Sequence, residues 1–231
     1  MEDGFCFCTQ SEKSYFPYAD FGATEEDSIS SFVRQKSIDE KTQLILLDSA
    51  SILVPTLSFD EALLDDYWKP FAGEVKESKM LKSHTSSNSL VKFVYSYPKQ
   101  LVDKHPNLIP IPSYSLLYDR IIENSQANFN KLIYIHLFQS HFDLFVTQGT
   151  RILLANRFPH KNEEDFMYFL FYVAEQLQLN ENSSTIFFLG DYIQYKRYYE
   201  GVKNFQSQVE ILDSTSKSNM GIADPAPYWN A

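Results

Sequence analysis

The feature that most constrains this chain lies between residues 131 and 158, where three apolar runs succeed one another with almost nothing between them. Lys131–Phe138, Ser140–Thr147 and Thr150–Phe158 each read as a strand. The joints Phe138-Gln139-Ser140-His141 and Thr147-Gln148-Gly149-Thr150 are too short for a crossover. Neighbours joined this tightly must run antiparallel, so the pattern predicts a meander.

Beyond the meander the period changes. Asn162 stands before Glu163, Glu164 and Asp165, a cap succeeded by acidic residues at the positive end of a helix dipole. Phe166, Phe169, Leu170, Val173, Ala174 and Leu177 then form a helical stripe. Thr185–Leu189 is a buried strand ending at Gly190. Tyr192–Glu200 is a helix closed by Gly201, and Gln208–Leu212 is a last strand. The second half therefore reads β-β-β-α-β-α-β: antiparallel strands continued by parallel ones, a mixed sheet covered by helices.

The first half repeats this order with one strand fewer. Phe5–Cys8 and Tyr15–Phe21 are strands, the latter demoted towards an edge by Pro17. Thr24 caps a helix whose inner face is Ile29, Phe32 and Val33, and Gln43–Leu47 is a buried strand. Ile52–Pro55 is extended, and Ser58 with Glu61 forms a capping box opening a helix through about Trp68. Residues 73–89 read as a polar loop and Leu90–Tyr95 as a strand. Pro98 heads a short helix to His105, Leu108–Pro112 is extended, and Ser113 caps a helix with Leu116, Leu117, Ile121 and Ile122 inward. The expected division is a first half over residues 1–128, a second over 129–213 and a flexible tail from 214 to 231. The class is α/β: two tandem units with the strand-helix order of the ribonuclease-H-like fold, together an actin-like ATPase architecture.

Composition excludes several functions. The 231 residues carry a net charge of -10, which repels phosphate backbones and anionic lipid, so no nucleic-acid partner is expected. Cys6 and Cys8 share one face of a strand and suit small core residues in a reducing compartment. No stretch approaches the roughly 20 apolar residues that span a bilayer, and Met1-Glu2-Asp3-Gly4 lacks a signal peptide's basic start. The expected location is cytoplasmic, without direct membrane insertion. The 19 Phe and 15 Tyr imply a thick aromatic core.

Several stretches carry a resemblance: Asp3-Gly4-Phe5, Leu44 to Val54-Pro55 with Phe59-Asp60, Asn156-Arg157-Phe158 through Glu164-Asp165-Phe166-Met167-Tyr168, and Gly190 after its apolar strand. Together they span most of the chain. On them the chain resembles an uncharacterised bacterial family with a degenerate actin-like ATPase fold. That fold also resembles the cytoplasmic actin-like components of pilus and secretion machines.

The resemblance implies where a nucleotide would sit. Actin-like ATPases cradle phosphates with two β-hairpins that carry Gly, for close backbone approach, and an Asp for Mg²⁺ or its water. The matching positions are Asp3 and Gly4 in the first half and Ser140 and Asp143 in the second, with Gly190 and Asp191 at the adenosine site. The hairpin His136–Asp143 contains no Gly, and of the 7 Gly in the chain none are adjacent or spaced G-x-G. ATP with Mg²⁺ is therefore not supported by motifs. A ribonuclease-H-like nuclease needs an Asp on the first meander strand, where His136 stands instead. His136 and His141 lack a third metal ligand and are expected at the surface or in the turn. No catalytic elbow, zinc pair or Walker loop occurs, and no catalytic or metal residue is assigned. Tyr192, Tyr195 and Tyr199 share one helix face and suit a partner surface, and Tyr168, Phe171 and Tyr172 raise the same question. The favoured expectation is a non-catalytic scaffold with protein partners. The alternatives are a nucleotide-binding protein with weak or no hydrolysis, and a regulatory module for a small ligand.

Overall fold

A computed structural model describes residues 4–8, 13–17, 43–46, 50–99, 110–125, 130–138, 140–179, 184–189 and 192–212. The helix expected from Thr24, most of that expected to run to His105, and the tail from 214 lie outside the described residues. The chain divides into two compact units, one reaching Asp119 and the other beginning at Arg120.

The first unit holds two sheets. Strands β1 (Gly4–Cys8), β2 (Lys13–Pro17) and β3 (Gln43–Leu46) belong to one; β4 (Ser51–Pro55), β5 (Lys79–Thr85) and β6 (Val91–Pro98) form the other; β7 (Pro110–Pro112) returns to the first. The first sheet has the order β2-β1-β3-β7, antiparallel at β2-β1 and β1-β3 and parallel at β3-β7. The second is an antiparallel set ordered β4-β6-β5. Helix α1 (Leu64–Ala72) lies against it, burying Trp68 with Val54 and Val94.

Here the fold departs from two expectations. Residues 79–85 are a strand rather than part of a loop. Pro98 ends β6 opposite Lys79, and Lys99 after it is helical. Ser58 and Glu61 form no capping box: the Asp60 carboxylate caps the turn, accepting from the Ala62 N–H at 2.9 Å, while Glu61 accepts from Ser83 Oγ at 2.8 Å. The Tyr67 hydroxyl donates to the Ser58 carbonyl and accepts from the Asp60 N–H, both at 3.0 Å, which holds this turn onto α1.

The second unit has the predicted order. Strands β8 (Lys131–Leu137), β9 (His141–Gln148) and β10 (Arg151–Pro159) precede α3 (Glu163–Gln176), β11 (Ser184–Leu189), α4 (Tyr192–Lys203) and β12 (Val209–Leu212). Helix α2 (Ser113–Ser125) precedes β8. The sheet is ordered β10-β9-β8-β11-β12, antiparallel through the meander and parallel from β8 onwards. Gly149, at φ +59°, makes the two-residue turn into β10 without a steric penalty.

Both faces of the central strands are buried, as helix-covered sheets require. Ile133, Ile135, Phe142, Leu144 and Val146 face Phe166, Leu170 and Val173 of α3. On the opposite face Tyr134 stacks on Phe187 at 5.2 Å. Its hydroxyl lies 3.1 Å from Ser125 Oγ, which also accepts from Thr147 at 2.9 Å and spends its own proton on the Ile121 carbonyl at 2.7 Å. Phe142, Phe145 and Phe166 are wholly buried, so the aromatic surplus is spent largely on packing.

Two substitutions test this reading of α3. The Asn162 side chain accepts from the Asp165 N–H at 2.8 Å. Asn162→Ala is expected to lower unfolding stability by about 1 kcal/mol in urea titrations. Phe166→Ala, which removes the largest buried side chain that α3 packs on the sheet beside Leu170 and Val173, is expected to cost roughly 3–5 kcal/mol.

Candidate functional site

The register of the meander sets three polar residues in a row: His136 lies opposite Asp143, and Asp143 opposite Arg157. Asp143 is 1 % exposed. A carboxylate at that depth needs a partner, and Arg157 supplies a two-pronged one, Nε to Oδ1 at 2.7 Å and Nη2 to Oδ2 at 3.1 Å. Burial still pushes the Asp143 carboxyl up, with the Arg157 charge and hydrogen bonds opposing.

Rings enclose this pair. The Arg157 guanidinium sits 5.6 Å over the Phe138 ring. Phe138 stacks on His141 at 4.4 Å and tilts against His136 at 4.3 Å. His136 and His141 are only 3 % and 8 % exposed, which corrects the expectation of surface or turn histidines. Burial holds both imidazoles below their ordinary value, the Arg157 charge acts in the same direction, and His141 is lowered to about 3. Both rings are therefore neutral at neutral pH.

His160 fastens the end of this hairpin. Its Nε2 lies 2.9 Å from the Phe138 carbonyl and 3.1 Å from the His141 carbonyl; since carbonyls only accept, Nε2 carries the proton and donates to both. Its Nδ1 is 3.3 Å from the Tyr198 hydroxyl on α4, and its backbone N–H donates to the Ser140 carbonyl at 3.0 Å.

The residues singled out from sequence scatter differently. Asp3, Gly190 and Asp191 lie outside the described residues, as does the Tyr192 side chain. Gly4 begins β1 opposite Pro17. Ser140 is exposed beside the ring cluster, its Oγ 3.3 Å from His141 Nδ1. Tyr195 is buried, and half-buried Tyr199 packs edge-on against Phe188 at 5.7 Å, so these two tyrosines turn into the core rather than towards a partner. Among the described residues of this unit, the exposed large rings are Tyr168, Phe171, Tyr172 and Phe205.

Sequence reasoning missed Arg157 and His160. Counting back across the Gly149 turn sets Asp143 against Asn156. A bulge between Ile152 and Leu154 slips the register by one and brings Arg157 opposite instead. His160 comes just after the last meander strand, and no sequence signal marks it.

Both carboxylate oxygens of Asp143 accept from Arg157, and the carboxylate side chain is only 2 % exposed. Among the described residues no group of three or more His, Cys, Asp or Glu is placed to hold a metal ion, and no helix is long and apolar enough to cross a membrane.

The mixed sheets flanked by helices place the protein in the actin-like ATPase fold. The chain is similar over 91 % of its length, and 87 % of the other, to the crystal structure of a Bacteroides thetaiotaomicron VPI-5482 protein with actin-like ATPase fold and unknown function, at 17 % identity and a TM-score of 0.73. It is also similar to a chain of the PilM-PilN type IV pilus biogenesis complex, at 9 % identity over 87 % of this chain and 80 % of that one, TM-score 0.48. No curated protein matches the sequence. A family model described as protein of unknown function, DUF3822, matches residues 28–209, and the chain belongs to that family.

The buried cluster generates two predictions. Arg157→Met strands a buried carboxylate and is expected to cost about 3–5 kcal/mol, whereas Asp143→Leu in the same chain recovers much of the loss. Urea unfolding of both single variants and the double variant measures this directly. The pH dependence has a defined sign. In the unfolded chain the histidines protonate near 6.5, and in the fold only far below, so their contribution is full above pH 6.5 and is lost as pH falls towards 3. Asp143, raised in the fold, works the opposite way and is outnumbered. Stability is expected to drop by about 2–3 kcal/mol between pH 7.5 and 5.5. A flat profile over that interval contradicts the burial of the two rings.

Proposed function

We propose that this protein is a non-catalytic actin-like scaffold that works by binding other proteins. The observation that carries the proposal is the engagement of Asp143. Where an actin-like ATPase presents a carboxylate and bare backbone to phosphates, this chain presents a buried carboxylate held at two points by Arg157 and covered by Phe138 and two neutral histidines. Freeing Asp143 for Mg²⁺ would break both of its charge-assisted bonds to Arg157.

The same proposal takes the two halves as tandem ribonuclease-H-like units, residues 1–128 and 129–213. Support comes from the pairing senses. Removing β8 from the order β10-β9-β8-β11-β12 would set β9 antiparallel against β11, and the sheet β2-β1-β3-β7 has that arrangement, with β1 antiparallel to β3 and β3 parallel to β7. The acidic charge supports a protein partner over nucleic acid, and a cytoplasmic location without membrane insertion belongs to the same reading.

Calorimetric titration of the folded protein with ATP and Mg²⁺ tests the central point. No saturable heat is expected up to about 1 mM nucleotide, corresponding to binding weaker than roughly -4 kcal/mol. Saturable binding that weakens in Ser140→Ala or Asp143→Asn would instead restore a nucleotide-binding function.

A further inference from the structure

The outer face of α3 carries an aromatic ridge that the core does not use. Tyr168, Phe171 and Tyr172 are 65 %, 40 % and 51 % exposed, at helical spacings of three and four. Tyr168 and Tyr172 lie parallel, 6.4 Å apart, and Phe171 meets exposed Phe205 edge-on at 5.2 Å, which extends the ridge beyond the end of α4. Glu164 and Glu175 stand on the same face, one turn to either side, both exposed. Neither has a cationic partner among the described residues. The cations of α4 are engaged: Arg197 lies 3.8 Å from Glu163, Lys196 lies 3.5 Å from Glu200, and Lys203 sits over the Tyr199 ring.

We infer that this ridge docks an amphipathic helix of a partner protein, one whose apolar stripe is flanked by Lys or Arg. The inference rests on the scaffold reading and names its surface. A ridge at spacings of three and four fits the grooves of another helix, whereas an extended peptide would pair along a sheet edge. The carboxylates at both ends select basic flanks. They also disfavour a second copy of this chain, because a two-fold contact through the ridge brings the Glu164 and Glu175 ends of two chains, each of net charge -10, against one another. An anionic membrane surface is repelled by the same charges.

The test uses the full chain and two synthetic helices of about 18 residues, long enough to hold helical structure. Both carry Leu at helical spacing; one is flanked by Lys and Arg, the other by Glu. Fluorescence anisotropy is expected to give micromolar binding of the basic-flanked peptide and at least tenfold weaker binding of the acidic one. Tyr168→Ser with Phe171→Ser and Tyr172→Ser leaves the inner face of α3 intact and is expected to lose at least tenfold in affinity. Glu164→Lys with Glu175→Lys is expected to reverse the peptide preference. Equal binding by the triple-Ser variant, an unreversed preference, or a sedimenting dimer abolished by the triple-Ser variant would overturn the inference, the last by making a second copy the occupant. Nucleotide binding with ridge-dependent docking intact would overturn only the scaffold reading. Absence of both nucleotide binding and ridge-dependent docking would overturn only this one.

Discussion

A carboxylate shut away from water is tolerable only if strong hydrogen bonds replace those it gives up, and the tip of the five-stranded sheet is organised around that requirement. Asp143 is held by both prongs of one guanidinium. That guanidinium is held in place by the ring of Phe138, and the ring by two imidazoles. His160 then clasps the carbonyls of Phe138 and His141, so the hairpin end, the last meander strand and α4 share one hydrogen-bonded junction. Taking away one partner exposes the others to a cost that an apolar core would not incur.

This junction bears on function because of where the fold puts it. In an actin-like ATPase a hairpin of this kind must stay open, with small residues and a reachable carboxylate. Here the hairpin carries bulky rings and an internal ion pair. On the proposed reading, loss of catalysis is a redistribution of hydrogen bonds, in which the partner of the Asp143 carboxylate is a guanidinium of the same chain. The aromatic residues divide similarly. Those on the inner face of α3 build the core, while those outside it remain available for another molecule.

Elements whose pattern comes from local physics could be read from the sequence. The stripe of α3 and its Asn162 cap are encoded within one helix, and the capping bond is present. The meander is dictated by two joints too short for any other path. Strand β5 was hidden because Lys-Met-Leu-Lys-Ser-His-Thr has no alternating apolar face; its identity comes from the hydrogen bonds β6 offers. The Ser58–Glu61 pattern misled because Glu61 finds Ser83, which is distant in sequence, and Asp60 takes its place as cap. The site was legible only in part. Asp143 stood out as the carboxylate of the hairpin, but its partner depends on a one-residue bulge that no residue type announces. The depth of His136 and His141 depends on a strand covered on both faces, which is a property of the sheet and not of the histidines.

The most direct measurement is a crystal structure of the protein grown with Mg²⁺ and a non-hydrolysable ATP analogue. The account predicts an undisturbed Asp143–Arg157 pair, Phe138 still stacked on His141, and no phosphate at the Ser140 turn. A triphosphate bound along that turn, with Arg157 swung from Asp143 onto the phosphates and Mg²⁺ at the released carboxylate, would contradict it.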